Sequence, residues 1–93
     1  AWAVRALAGI GDPRGLEVLL TAAETDFALS VRRAAAKGLG SIRWSEMNVL
    51  EMPSAQAKAI KTLLLVSQDP EWIVRYAAVV GLQALATQLD VIH

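Results

Sequence analysis

Arg32 and Arg75 each stand six residues after an aspartate, Asp26 and Asp69, and these four are the sharpest repeated polar feature of the sequence. A guanidinium is planar and matches a carboxylate with two parallel hydrogen bonds, so two uses are open. The arginines could clamp the carboxylates of an anionic ligand. Alternatively they form a ladder, in which each aspartate caps its helix and an arginine of a neighbouring unit bonds to it. The ladder is the favoured reading, because an interface between units recurs in every unit whereas a binding site need not.

A second set, Arg5, Arg33, Lys37, Tyr76 and Val80, is the candidate binding surface for a ligand or partner. Its members occupy equivalent outward positions of a repeating unit, and across the units a basic patch grades into an apolar, aromatic one. Such a gradient suits a flat molecule with carboxylates or an acidic partner helix, and it is also compatible with an ordinary solvated face. Covalent chemistry has little to draw on. There is no Cys, and the single His, His93, is the last residue, so neither a metal-ligand set nor a Cys/His pair can be assembled. Ser30, Ser41, Ser45, Ser54 and Ser67 have no nearby His, and Gly9-Ile10-Gly11 is too short for a phosphate loop. No catalytic residue and no metal site are expected.

The elements that position these side chains come from an internal repeat. Val31-Arg32-Arg33-Ala34-Ala35-Ala36-Lys37-Gly38-Leu39 and Val74-Arg75-Tyr76-Ala77-Ala78-Val79-Val80-Gly81-Leu82 share Val, Arg, the Ala pair, Gly and Leu at an offset of 43 residues. A third copy at the start places Ala3, Leu7 and Ile10 at an offset of 32 from Ala35, Leu39 and Ile42. Positions 31, 35, 38 and 42, with 74, 78, 81 and 85, step by four, three and four, which keeps one stripe of a helix on the core. These are the second helices of helix pairs. The first helices span Arg14 to Ala23, with Leu16, Leu20 and Ala23 inward, and about Ser54 to Val66, with Ala59, Leu63 and Val66 inward.

Each pair alone would expose an apolar stripe, so the pairs must stack. The expected fold is all-α: an α-solenoid of stacked antiparallel helix pairs forming one domain over 1–93, with copies at about 1–11, 12–43 and 54–88. The surplus of 11 residues between the two offsets falls in a long connection, 43–53, whose Trp44, Met47 and Met52 are expected to plug a gap between pairs. Trp72, the register copy of Leu29, is likewise expected to pack. Gly11-Asp12-Pro13 combines a helix stop, an N-cap and a first-turn Pro, and Asp69-Pro70 repeats the cap and the Pro. Register position 38 is Gly, Gly81 in its copy and Ala6 in the first, which predicts close helix approach.

Composition closes off other classes. Nine Lys plus Arg balance nine Asp plus Glu, leaving no positive field for nucleic acid or for a polybasic membrane contact. No apolar run approaches the roughly 20 residues of a membrane span. The opening Ala1-Trp2-Ala3-Val4 is no signal peptide and reads as the interior of a helix in a longer protein. A cytoplasmic location is expected. Uncapped apolar ends predict marginal stability or self-association.

The segment Ala8-Gly9-Ile10-Gly11-Asp12-Pro13-Arg14-Gly15-Leu16 and the two Asp-x-x-x-x-Val-Arg-x-x-Ala-Ala stretches resemble the HEAT-like repeats of the phycobilisome lyase group. Residues 69–82, Asp69-Pro70-Glu71-Trp72-Ile73-Val74-Arg75-Tyr76-Ala77-Ala78-Val79-Val80-Gly81-Leu82, are most similar to its E/F-type phycobilin lyase subunits. The resemblance implies a cyanobacterial-type protein, part of a lyase subunit. With a second lyase-type subunit it would attach or remove a linear tetrapyrrole, phycocyanobilin or a related bilin, on a phycobiliprotein cysteine. The bilin would be substrate, with no covalently bound cofactor. The alternative is a non-enzymatic HEAT-repeat scaffold that binds a protein partner.

Overall fold

The computed structural model describes residues 2–92, and Ala1 and His93, both singled out in the sequence, lie outside the described residues. All regular structure among these is helical: α1 Trp2–Ile10, a 3-10 turn Pro13–Gly15, α2 Leu16–Thr25, α3 Leu29–Leu39, a 3-10 turn Trp44–Glu46, α4 Met52–Val66 and α5 Trp72–Ile92. The helices form two layers. The first helices α2 and α4 pack side by side, α3 lies between α1 and α5 in the other layer, and α2 and α4 cover α3 and α5. This is the expected solenoid.

The core follows from the stripes. α2 buries Leu16, Leu19, Leu20, Ala22 and Ala23, α3 buries Val31, Ala35, Ala36 and Leu39, and α4 buries Ala59, Leu63 and Val66. α5 adds Val74, Ala77, Ala78 and Leu85. Two details differ from the periodicity. α3 ends at Leu39, so Ile42 reaches the core from beyond the helix end and is fully buried there. Leu82 is only half-buried although its counterpart Leu39 is sealed, and Leu65 and Val79 are exposed although their counterparts Ala22 and Ala36 are buried. The cause is stacking: in this architecture one pair buries the flank of its neighbour, and α4 and α5 cover α2 and α3 in that way.

Chain reversals use the local chemistry of the Gly-Asp-Pro run. Gly11 adopts φ 74, a left-handed conformation that stops α1 and suits glycine. The Asp12 carboxylate then accepts the Arg14 backbone N–H at 2.9 Å, with Pro13 opening the 3-10 turn. The Arg14 side chain and backbone N–H together lower the pKa of the half-buried Asp12 carboxyl to about 2. The Gly11 carbonyl also accepts the Arg43 N–H at 2.9 Å, tying the end of α1 to the segment after α3.

Helix spacing in the second layer is set by two glycines. A Cβ on Gly38 would stand 2.6 Å from the Ala8 Cβ, and one on Gly81 would stand 2.6 Å from the Ala36 carbonyl oxygen. Both distances are below any tolerable contact, so the α1/α3 and α3/α5 backbones approach as closely as the missing side chains permit. Gly81→Ala is therefore expected to destabilise the fold by about 1–3 kcal/mol despite the better helix propensity of Ala. Gly9, around which a Cβ would meet nothing within 4 Å, gives the opposite sign. Gly9→Ala is expected to stabilise by up to about 1 kcal/mol. Urea denaturation of the two variants checks the pair, and a neutral Gly81→Ala would remove the close-approach account.

A candidate cationic groove

The tight α1/α3 contact at Gly38 brings three cations to one place. Arg5 projects from α1, and Arg33 and Lys37, one turn apart on α3, project beside it, so that all three line a groove of about 350 Å³ with Gly9, Ala34 and Ser41 among the other walls. Arg5 donates to the Ser30 hydroxyl at 3.2 Å. Among the described residues, the ion pairs are Arg14–Asp12, Arg32–Asp69, Arg43–Glu46 and Lys58–Glu17, none of which involves the groove. Among the described residues, no carboxylate lines it. Three cations with no ion-pair partner among the described residues make the groove positively charged.

Tyr76 and Val80, the other members of the predicted surface, lie on α5 and do not line this groove. They hold the register positions of Arg33 and Lys37, Tyr76 largely exposed and Val80 half-buried. The predicted surface is thus split into a basic cleft between α1 and α3 and an aromatic flank on α5.

The Asp/Arg set does something else. Arg32 Nε donates to Asp69 Oδ2 at 3.0 Å and its NH2 to Oδ1 at 3.4 Å, a fork across two repeats that is mostly shielded from solvent. The same guanidinium donates to the Asp26 and Phe27 carbonyls at 2.9 and 3.1 Å. Arg75 repeats this on the Asp69 and Pro70 carbonyls at 2.8 and 3.0 Å. Asp26 and Asp69 each accept a backbone N–H two residues on, from Ala28 and Glu71, both at 2.9 Å. They therefore brace the turn ahead of α3 and α5 rather than the first helical N–H groups. Burial works against ionisation of Asp69, but the Glu71 N–H and the Arg32 guanidinium outweigh it, and its pKa is lowered.

Two residues carry weight that the repeat register did not assign. Trp44, in the 3-10 turn of the long connection, is 1% exposed, with Met47 and Met52 half-buried against the same core. Trp72 was expected to pack, yet it is 67% exposed. The signal for Trp72 was its position four residues before Tyr76, in the row 72, 76, 80 that faces away from the core stripe 74, 78, 81, 85. Its counterpart Leu29 is itself exposed.

Comparison with known proteins agrees with the helical-repeat fold. A family model described as HEAT repeats matches residues 1–83. The chain is 59% identical over 88 residues to the phycocyanin alpha phycocyanobilin lyase CpcF of Synechocystis sp. (strain ATCC 27184 / PCC 6803 / Kazusa), covering 95% of this chain and 41% of that protein. It is 54% identical over 94 residues to the phycobilisome maturation protein of Synechococcus elongatus, covering 97% of this chain and 45% of that protein. Among solved structures, the complex of CpcE and CpcF of phycocyanin lyase from Nostoc sp. PCC7120 superposes with a TM-score of 0.88 at 56% identity, over 92% of this chain and 51% of the matched chain. The chain thus spans about half the length, or less, of the relatives it matches. The likeness read from residues 69–82 is borne out, and the chain belongs to the HEAT-repeat family, with its similarity in the phycobilin lyase group.

Proposed function

We propose that this chain is part of a phycobilin lyase subunit that receives a linear tetrapyrrole, phycocyanobilin or a related bilin, and presents it to a phycobiliprotein acceptor. The observation that carries this is the groove of Arg5, Arg33 and Lys37, whose charges have no ion-pair partner among the described residues. A bilin carries two propionates on a flat conjugated body, and guanidinium groups hold carboxylates with directed, charge-assisted hydrogen bonds. Relatives named as phycocyanobilin lyases, and a matched structure that is a two-protein lyase complex, support the reading.

In this role the chain binds and orients, and the acceptor supplies the nucleophile. The thiol that forms the thioether belongs to the phycobiliprotein cysteine, so a Cys-free chain is no obstacle. A second lyase-type subunit completes the binding cleft, and in this reading the transfer runs in the cytoplasm.

The test titrates the protein, alone and with its second subunit, with phycocyanobilin and follows the absorption band of the bilin. A shifted band is expected. Arg33→Glu replaces a counter-ion for a propionate with a like charge and is expected to weaken binding about tenfold or more, with thermal stability unchanged because Arg33 is exposed. An unmoved band in both mixtures rejects the bilin and leaves a protein-binding scaffold, which a partner recovered without bilin would establish.

A further inference from the structure

The groove is too small for the whole of its proposed ligand. At about 350 Å³ it is at the lower end of the roughly 300–1,000 Å³ of ligand clefts, room for the carboxylate arms and an adjoining ring but not for four linked rings. The remaining conjugated body has to lie on a neighbouring surface. α5 packs directly against α3, and the α5 positions equivalent to Leu29 and Arg33 are Trp72 and Tyr76.

Both are largely exposed, Trp72 67% and Tyr76 65%. They are four residues apart on one helix and share a face. Side chains of this size in a core-forming layer are normally covered, and a paired Trp and Tyr left open to solvent on the helix packed against α3, which carries Arg33 and Lys37, have the composition of a stacking surface for an anionic π system. The backbone beneath them is held: Arg32 of α3 forks onto Asp69, and Asp69 in turn accepts the Glu71 N–H at the entrance to α5. The first turn of α5 is thereby locked to α3, which fixes Trp72 relative to Arg33 and Lys37.

Resting on the bilin reading, we propose that Trp72 and Tyr76 form an aromatic platform on which the conjugated body of the tetrapyrrole stacks while Arg5, Arg33 and Lys37 hold its carboxylates. Trp72 is a positioning residue here: it sets where the rings lie and leaves the thioether chemistry to the acceptor. Binding and twist of the chromophore therefore depend on an indole that is largely exposed in the free chain.

Trp72→Ala and Trp72→Phe in the protein with its second subunit test this, with phycocyanobilin as the probe. Trp72→Ala is expected to weaken bilin binding about five- to tenfold, in line with the loss of one aromatic stacking partner, and to change the bound absorption band at an unchanged Tm. Trp72→Phe is expected to keep most of the affinity. Titration is expected to quench tryptophan emission in the unaltered protein by energy transfer to the bilin, and the emission lost on titration is expected to be smaller in Trp72→Phe, whose remaining tryptophans are Trp2 and Trp44. Unchanged affinity and an unchanged bound band in Trp72→Ala would overturn the platform and leave the bilin reading standing. A fall in Tm that accompanies the loss would overturn it too, by making Trp72 structural. A band that does not move with the unaltered protein overturns the bilin reading and the platform together.

Discussion

Trp44→Ala is expected to lower the stability of the chain by about 3–5 kcal/mol, a large part of what a small domain has. The indole is 1% exposed and is the largest fully buried side chain among the described residues, held in the connection between the second and third copies of the repeat. Its removal leaves a cavity that the surrounding helices cannot close, because Leu39, Ile42 and Leu63 are already sealed in the same core cluster. The indole N–H, however, has no hydrogen-bond partner among the described residues. An unsatisfied buried donor is itself unfavourable by about 1–3 kcal/mol, so Trp44→Phe, which removes the donor and keeps most of the ring, is expected to lose no more than about 1.5 kcal/mol. Urea denaturation with constant slope measures both. A loss under about 1 kcal/mol for Trp44→Ala would show that the connection does not seal the stack.

Arg32→Ala is the second large effect, expected at about 3–5 kcal/mol. One guanidinium serves two carbonyls of its own repeat and a carboxylate of the next, so its loss strands a mostly desolvated Asp69 as well as opening the turn before α3. Removing both partners in Arg32→Ala/Asp69→Asn is expected to recover part of the loss, since no unpaired charge remains buried. The same pair gives a pH signature. The pKa of Asp69 is lower in the folded chain than in the unfolded one, so its contribution is complete above the unfolded value and disappears as pH falls through the folded value. Stability therefore declines on acidification at and below the ordinary aspartate range, and Arg32→Ala is expected to flatten that decline. An acid limb of equal steepness in Arg32→Ala and the unaltered chain would remove Arg32 as the source of the shift.

The two effects differ in how far they were visible in the residues. Asp26, Arg32, Asp69 and Arg75 stand out because an interface between copies must be written again in each copy. The bond that joins repeats, Arg32 to Asp69, spans 37 positions, and only the stacked coordinates show which arginine meets which aspartate. Arg5, Arg33 and Lys37 could be assigned to one face by helical period, but their convergence depends on α1 and α3 touching at Gly38 and Ala8. Without that contact they would be three separate surface charges. Trp72 shows the limit of register: equivalence to Leu29 says that two residues share an environment and is silent on whether that environment is core or solvent.

Local sequence determined what repeats and where it turns. Apolar spacing of four, three and four demands helices with one buried stripe, Gly11-Asp12-Pro13 demands a stop and a restart, and small residues at 38 and 81 demand close neighbours; each is a short-range steric or hydrogen-bonding constraint. Tertiary structure alone decided which groups were left over once the helices had stacked. Burial of Leu39 beside the half-exposure of Leu82, the sealing of Trp44, the opening of Trp72 and the gathering of three cations into one groove all follow from which flank of a pair has a neighbour, and that depends on long-range packing that no window of the chain contains.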